Sequence, residues 1–252
     1  MSEVLVSVDD GVGTIVLNAP DRRNAFVPAM VAELMDVCDQ LDADESVGAV
    51  VVRSNGQSFC SGAHRELLAE VGRDPARPDH FKALGLTYNA FVRVGELKAP
   101  TIAAVRGHAV GAGVNLMLAT DLRIVAEHAR IITGFSRIGL HPGGGHFALL
   151  SRLGGREAAA AMSVFGEEID GSRAAALGIA WEALPEDDVE PRATELARKI
   201  ASDPELSRAT VRSFRLELGP PALSWPAALE AERAAQMWSL RRQATGRGVD
   251  SA

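Results

Sequence analysis

"GHAVGAGVNLMLATDLRI" (Gly107–Ile124) follows directly on the apolar run "TIAAV" at 101–105. A short, wholly apolar run reads as a strand buried on both faces; a glycine turn follows, and then a helix that has just begun at Asn115 and runs to about Thr120. Between them lie three glycines in seven residues, Gly107, Gly111 and Gly113, a backbone made to approach something closely. A second stretch repeats the design: "GAVVVR" (48–53) is a buried strand, and "FCSGAHREL" (59–67) leads into a helix. Small residues at a helix start leave backbone N–H groups uncovered where they have no intrahelical partner. Two such donors converging on one point would form an oxyanion hole. Glycines that merely permit tight turns and close helix packing are the competing reading for either loop alone. A dinucleotide loop fits less well, since "GAGVNL" has leucine where the third glycine of GxGxxG belongs.

Working outward, "EVLVSVDDGVGTIVLN" (3–18) alternates around Asp9-Asp10-Gly11 and predicts a β-hairpin. Pro28 opens a helix in which Met30, Leu34, Val37 and Leu41 share a face. A short helical start follows at Arg65–Glu70, a mobile surface loop is expected over 71–79, "VGRDPARPD", and a helix over 80–97. "LRIVA" and "ARIIT" predict strands. From about Gly145 the chain turns to alanine-rich helices, with three more at 192–202, 205–217 and 224–241, the last capped by Ser224. Strands alternating with helices, then helices alone, give an α/β class. The organisation expected is a core over 1–190, a C-terminal helical region over 191–243 and a disordered tail over 244–252.

The 252 residues, 47% hydrophobic and 23% charged, are enough to bury a sizeable core. A net charge of −7 without a basic run argues against nucleic acid as the partner. The N-terminal residues lack a basic and apolar leader, and no apolar run is long enough to cross a membrane. Cys38 and Cys60 have no CxxC or zinc-type spacing, so a reducing, cytoplasmic setting without a metal is expected.

Five blocks in order, "RRNAF" (22–26), "FCSGAHREL", "KAPTIAAVRGHAVGAGVNLMLATDLRI" (98–124), "IGLHPGGG" (138–145) and "GEEIDGSRAAALGIA" (166–180), resemble the enoyl-CoA hydratase/isomerase, or crotonase, family. The resemblance spans about residues 4–190. It implies a crotonase-like spiral of ββα units with a helical C-terminal trimerisation region, assembled as a homotrimer or a dimer of trimers. It also implies an acyl-CoA thioester as ligand, with coenzyme A part of the substrate and no separate cofactor. By position, the thioester carbonyl would be held by the backbone N–H groups of Ala63 and Ala112. Coenzyme A would lie against Ala63, His64, Arg65 and Glu66, beside the loop carrying Arg22, Arg23 and Ala25, with Gly111 and His141 bordering the acyl group. Asp121 falls where the family has a structural aspartate.

The family's hydratases use two glutamates, and here those positions hold Asn115 and Phe135. A carboxamide does not exchange protons at neutral pH, and a phenyl ring has nothing to titrate. General acid–base catalysis supplies typically ~10²–10⁴-fold, so ordinary hydratase turnover is in doubt. His64, His141 and His146 are the candidates to take over proton transfer, histidine being the side chain suited to it at neutral pH. Packing or surface roles are the alternatives for all three. Asn115 either holds a water or the acyl chain, or satisfies local backbone. His108 is expected to pack inside its loop, whereas His80 and His128 read as surface positions. Two functional classes stand: an enzyme passing through a thioester oxyanion or enolate, and an acyl-CoA-binding protein without turnover.

Overall fold

The computed structural model describes residues 2–218 and 225–245. β1 (Val4–Asp9) and β2 (Val12–Leu17) form the expected antiparallel hairpin. Asp10 and Gly11 both have positive φ, the backbone that lets a two-residue turn match the twist of its strands. α1 (Pro28–Ala43) starts on proline and buries Met30, Leu34, Val37 and Leu41, the face set by their spacing.

From there the chain winds in ββα turns. β3 (Ala49–Ser54) leads to β4 (Ser58–Cys60), then to α2 (Arg65–Arg73) and α3 (Pro78–Gly95). β5 (Thr101–Val105) leads to β6 (His108–Val110) and α4 (Ala112–Ala119). β7 (Leu122–Ala126) leads to β8 (Arg130–Ile132) and α5 (His146–Ser163). After these come β9 (Ile169–Asp170), α6 (Gly171–Ala176) and β10 (Glu182–Leu184). Each turn adds one strand to each of two sheets, ordered β1-β2-β3-β5-β7-β10 and β4-β6-β8-β9. The result is the mixed α/β spiral expected from the sequence. The strands of the second sheet are only two or three residues long, too short for a period-two pattern, and the sequence reading passed over β4, β6 and β9.

α7 (Glu186–Ala201), α8 (Pro204–Glu217) and α9 (Trp225–Ala244) complete the chain. Several expectations need correcting. The loop at 71–79 shrinks to four residues between α2 and α3: Val71 and Gly72 are buried, and Gly72 packs against the Leu240 backbone of α9. α7 begins at Glu186 with Pro191 inside it, so the 190/191 boundary falls within a helix that packs on β3, β5 and β7. His108 is exposed at the start of β6 rather than packed. Ser224 and residues 246–252 of the expected tail lie outside the described residues. No described helix is long and apolar enough to cross a membrane.

Asp121 is structural, as expected. It accepts from the Thr101 N–H and hydroxyl, both at 2.8 Å, and from Arg215 of α8. That pair ties α8 to the strand leading into the glycine turn.

Candidate active site

β4 and β6 lie side by side and deliver the two small-residue loops to one place. Gly113 faces Cys60 so closely that a methyl group would overlap the Cys60 carbonyl. The position a Cβ would take at Gly62 is 3.1 Å from the Ala112 nitrogen. Only glycine permits that approach, and Gly62 also has φ of +86°. The Gly62 carbonyl accepts from the Phe26 N–H (2.7 Å), and the His64 N–H donates to the Phe26 carbonyl (3.0 Å). This parallel bridge uses the groups flanking Ala63, so the Ala63 N–H points away from Phe26. Ala112 is the first residue of α4, where an N–H has no intrahelical acceptor.

The "RRNAF" loop is pinned from beneath. Asn24 is fully buried: its side-chain oxygen accepts from the Ala19 N–H (2.7 Å), and its amide donates to the carbonyls of Asn55 (2.9 Å) and Ser58 (2.8 Å). Arg22 turns inward to Glu3 and the Ala25 carbonyl, whereas Arg23 stays exposed.

A cavity of about 770 Å³ opens between these loops. Ala63, His64, Arg65, Glu66, Arg23, Ala25, Gly111, Ala112, Asn115 and Phe135 all line it. Its polarity is graded. The charged lining residues come from the 21–23 loop and positions 64–66; Asp21, Arg23, Arg65 and Glu66 are exposed. The deeper wall is neutral and buried: Asn115 on α4, Phe135, Leu84, Thr87 and Tyr88 on one face of α3, and Gln236 on α9. Sequence reasoning missed Tyr88, Thr87, Gln236 and Asp21. Leu84, Thr87 and Tyr88 have the i, i+3, i+4 spacing of a helix face, but nothing in that spacing says the face meets a cavity.

Two expected site residues stand apart from it. His141 does not line the cavity; its Nδ1 lies 2.6 Å from the Pro142 carbonyl. His146 does not line it either, being fully buried one layer behind. Asn115 Nδ2 donates to the Gly143 carbonyl at 3.0 Å, which leaves its Oδ1 to accept from His146 Nδ1 at 2.7 Å. His146 Nε2 then accepts from the Ser163 hydroxyl at 3.0 Å, and the edge of the ring meets Phe135 with centroids 5.1 Å apart. Burial pushes the imidazole down to about 3, so it is neutral and its tautomer is set by these partners. His146 therefore holds Asn115 in place and has no direct access to a ligand. His64 is half-buried at the rim, with Nδ1 3.9 Å from the Glu66 carboxylate. Among the described residues no cluster of three or more His, Cys, Asp or Glu is placed to hold a metal ion.

Comparison with known proteins agrees with this architecture. The family model described as "Enoyl-CoA hydratase/isomerase" matches residues 7–238. The chain is 40% identical over 240 residues to a probable enoyl-CoA hydratase, EchA14, of Mycobacterium tuberculosis, covering 88% of this chain and 91% of that one. It is 32% identical over 215 residues to the 1,2-epoxyphenylacetyl-CoA isomerase of Escherichia coli, covering 84% and 81%. The solved structure of Pseudomonas aeruginosa OdaA superposes with a TM-score of 0.84 at 29% identity, over 98% of this chain and 97% of that one. The chain belongs to the enoyl-CoA hydratase/isomerase family.

Proposed function

We propose that this protein is an acyl-coenzyme A thioester enzyme that holds the thioester carbonyl between the Ala63 and Ala112 N–H groups and stabilises an enolate or related oxyanion there. The observation that carries this reading is the meeting of the two loops, with Gly62 packed against the Ala112 nitrogen and both alanines on one cavity wall. A developing thioester oxyanion gains about 3–4 kcal/mol from each well-placed donor. Arg23 and Arg65, exposed at the rim, offer positive charge to the coenzyme A phosphates. No carboxylate stands at position 115 or 135, so ordinary hydration is not the reaction this site serves best. His64 is the histidine that reaches the cavity beside a carbonyl donor, and proton transfer by it belongs to this reading.

The replacements at Asn115 and Phe135 favour a second reading, an acyl-CoA-binding protein without turnover. A panel of saturated and 2-enoyl-CoA thioesters incubated in deuterium oxide and weighed by mass spectrometry separates the two. Deuterium at the α-carbon, or any conversion, supports the enzyme; tight binding with every thioester returned unchanged supports the binding protein. Bulky residues at 111–113 are expected to abolish the chemistry, and unchanged activity in that variant rejects the oxyanion site.

A cytoplasmic trimer or dimer of trimers is part of the same proposal. Phe165, Trp181 and Trp238, between 59% and 83% exposed in the single chain, support a subunit contact, and sedimentation analysis tests it.

A further inference from the structure

Among the described residues, five buried polar side chains line the deep wall of the cavity: Thr87, Tyr88, Asn115, Thr133 and Gln236. Four of them are already engaged. The Tyr88 hydroxyl donates to the Gln236 amide oxygen. Asn115 is held between the Gly143 carbonyl and His146. The Thr133 hydroxyl donates to the Met162 carbonyl at 2.6 Å. Thr87 differs. A helical threonine commonly turns its hydroxyl back to a carbonyl one turn earlier, yet this one has no hydrogen-bond partner among the described residues. Nor is the oxygen sealed by its neighbours. The 3% of the residue that stays accessible includes it, and the space it meets is the cavity.

A hydroxyl in such a place must be served by whatever fills the cavity. The rest of that wall is apolar, with Leu84, Phe135 and Leu140, and among the described residues no charged side chain lies in it. An alkyl chain entering there displaces water from the Thr87 oxygen and returns no hydrogen bond, leaving a polar group buried and unpaired. A charged chain end fares worse, because it finds no counter-ion. A single uncharged oxygen on the acyl group meets both demands, since a threonine hydroxyl donates and accepts. Resting on the thioester reading above, we propose that Thr87 selects the acyl group, and that the site takes acyl-CoA thioesters with a hydroxyl or ketone oxygen beyond the β-carbon. The position follows from the elements. In that reading the thioester oxygen sits at Ala112, and Asn115, one turn along α4, faces the carbons next to it. Thr87 stands on another helix, α3, on the face it shares with Leu84 and Tyr88. The oxygen it binds is therefore carried farther along the chain. A site that hydrogen-bonds a substrate oxygen rejects the analogue without it.

The test measures binding of pentanoyl-CoA, 4-hydroxypentanoyl-CoA and 5-hydroxypentanoyl-CoA to the full chain by calorimetry, with free coenzyme A as the reference. At least one hydroxyacyl thioester is expected to bind about tenfold more tightly than pentanoyl-CoA. Thr87→Val keeps the shape of the side chain and removes its oxygen. In that variant the preferred hydroxyacyl thioester is expected to weaken about tenfold and pentanoyl-CoA to tighten, opposite changes that a merely structural role would not give. Thr87→Ser, which keeps the hydroxyl, is expected to retain the preference. Should circular dichroism show that the valine disturbs folding, Thr87→Ser against Thr87→Ala makes the same comparison. Pentanoyl-CoA binding the parent as tightly as both hydroxyacyl thioesters would overturn the proposal, and so would a preference that survives loss of the hydroxyl; both results leave the thioester reading standing. If no thioester binds more tightly than coenzyme A itself, the thioester reading falls and this one with it.

Discussion

His146 and Ser163, the first and last residues of α5, are hydrogen-bonded at 3.0 Å. A straight helix of that length would hold them about 25 Å apart. The chain closes the gap by breaking at Gly155, where φ is 77° and ψ 175°. The two halves fold back on each other, so Ser163 reaches the imidazole that in turn fixes Asn115. One backbone angle on the far side of α5 thereby sets the cavity wall.

Gly155→Ala is the direct check. That φ/ψ region is open to glycine and strained for any L-residue, at a cost of order 1–3 kcal/mol. A methyl group there meets nothing within 4 Å, so the effect comes from the backbone alone. Thermal unfolding is expected to drop by about 2–12 °C for a chain of this size. An unchanged Tm would mean that the fold-back carries no strain.

The break at Gly155 shows what the sequence left hidden. Glycines at 154 and 155 read simply as the start of an alanine-rich helix, because local pattern reports period and not the fold of a helix onto itself. The hairpin, α1 and the buried strands were legible, since each announces itself within ten residues. Ala63, Ala112, Asn115 and Phe135 were placed on one cavity through resemblance rather than periodicity. Tyr88 and Gln236, which are 148 positions apart, meet only because α9 crosses α3, and no local spacing encodes that contact. His146 was legible as a histidine near the site, but burial decided its role.

That burial predicts a pH dependence of stability. His146 is held near 3 in the fold against an ordinary value of 6.5, so the unfolded chain binds the extra proton between those limits. Its neutral state contributes full stability above about pH 6.5, and the contribution is lost as the pH falls toward 3. The slope approaches about 1.4 kcal/mol per pH unit. His146→Gln should flatten the fall in Tm between pH 6 and pH 4 relative to the parent, the carboxylates being common to both. A parallel fall in the two proteins would show that His146 is not the buried neutral group described.

Cys38 and Cys60 are free and fully buried, and burial raises both thiols to about 12. Cys60 lies under the first loop, where the Gly62 N–H approaches its sulfur at 3.4 Å and the Asn24 carbonyl is 3.1 Å away. Thiolate is the reactive form, so the native protein should resist a thiol reagent at neutral pH. In denaturant two thiols should react. Rapid native labelling of Cys60 would reveal that the first loop opens.

Glutamates at 115 and 135, the pair that the family resemblance implies for hydration, can be introduced together. Asn115→Glu and Phe135→Glu place two carboxylates in a deep wall that holds none among its described residues, beside the loops proposed as carbonyl donors. Each single variant supplies half of the acid–base pair, and hydration needs one group to activate water and another to protonate the α-carbon. The double variant is therefore expected to raise hydration of crotonyl-CoA about 100-fold above the parent, with each single variant well below that. Asn115 is 1% and Phe135 8% exposed, so some stability will be lost, and circular dichroism should accompany the kinetics. A folded double variant that binds crotonyl-CoA but does not hydrate it would mean the carbonyl donors are set for a differently placed acyl group.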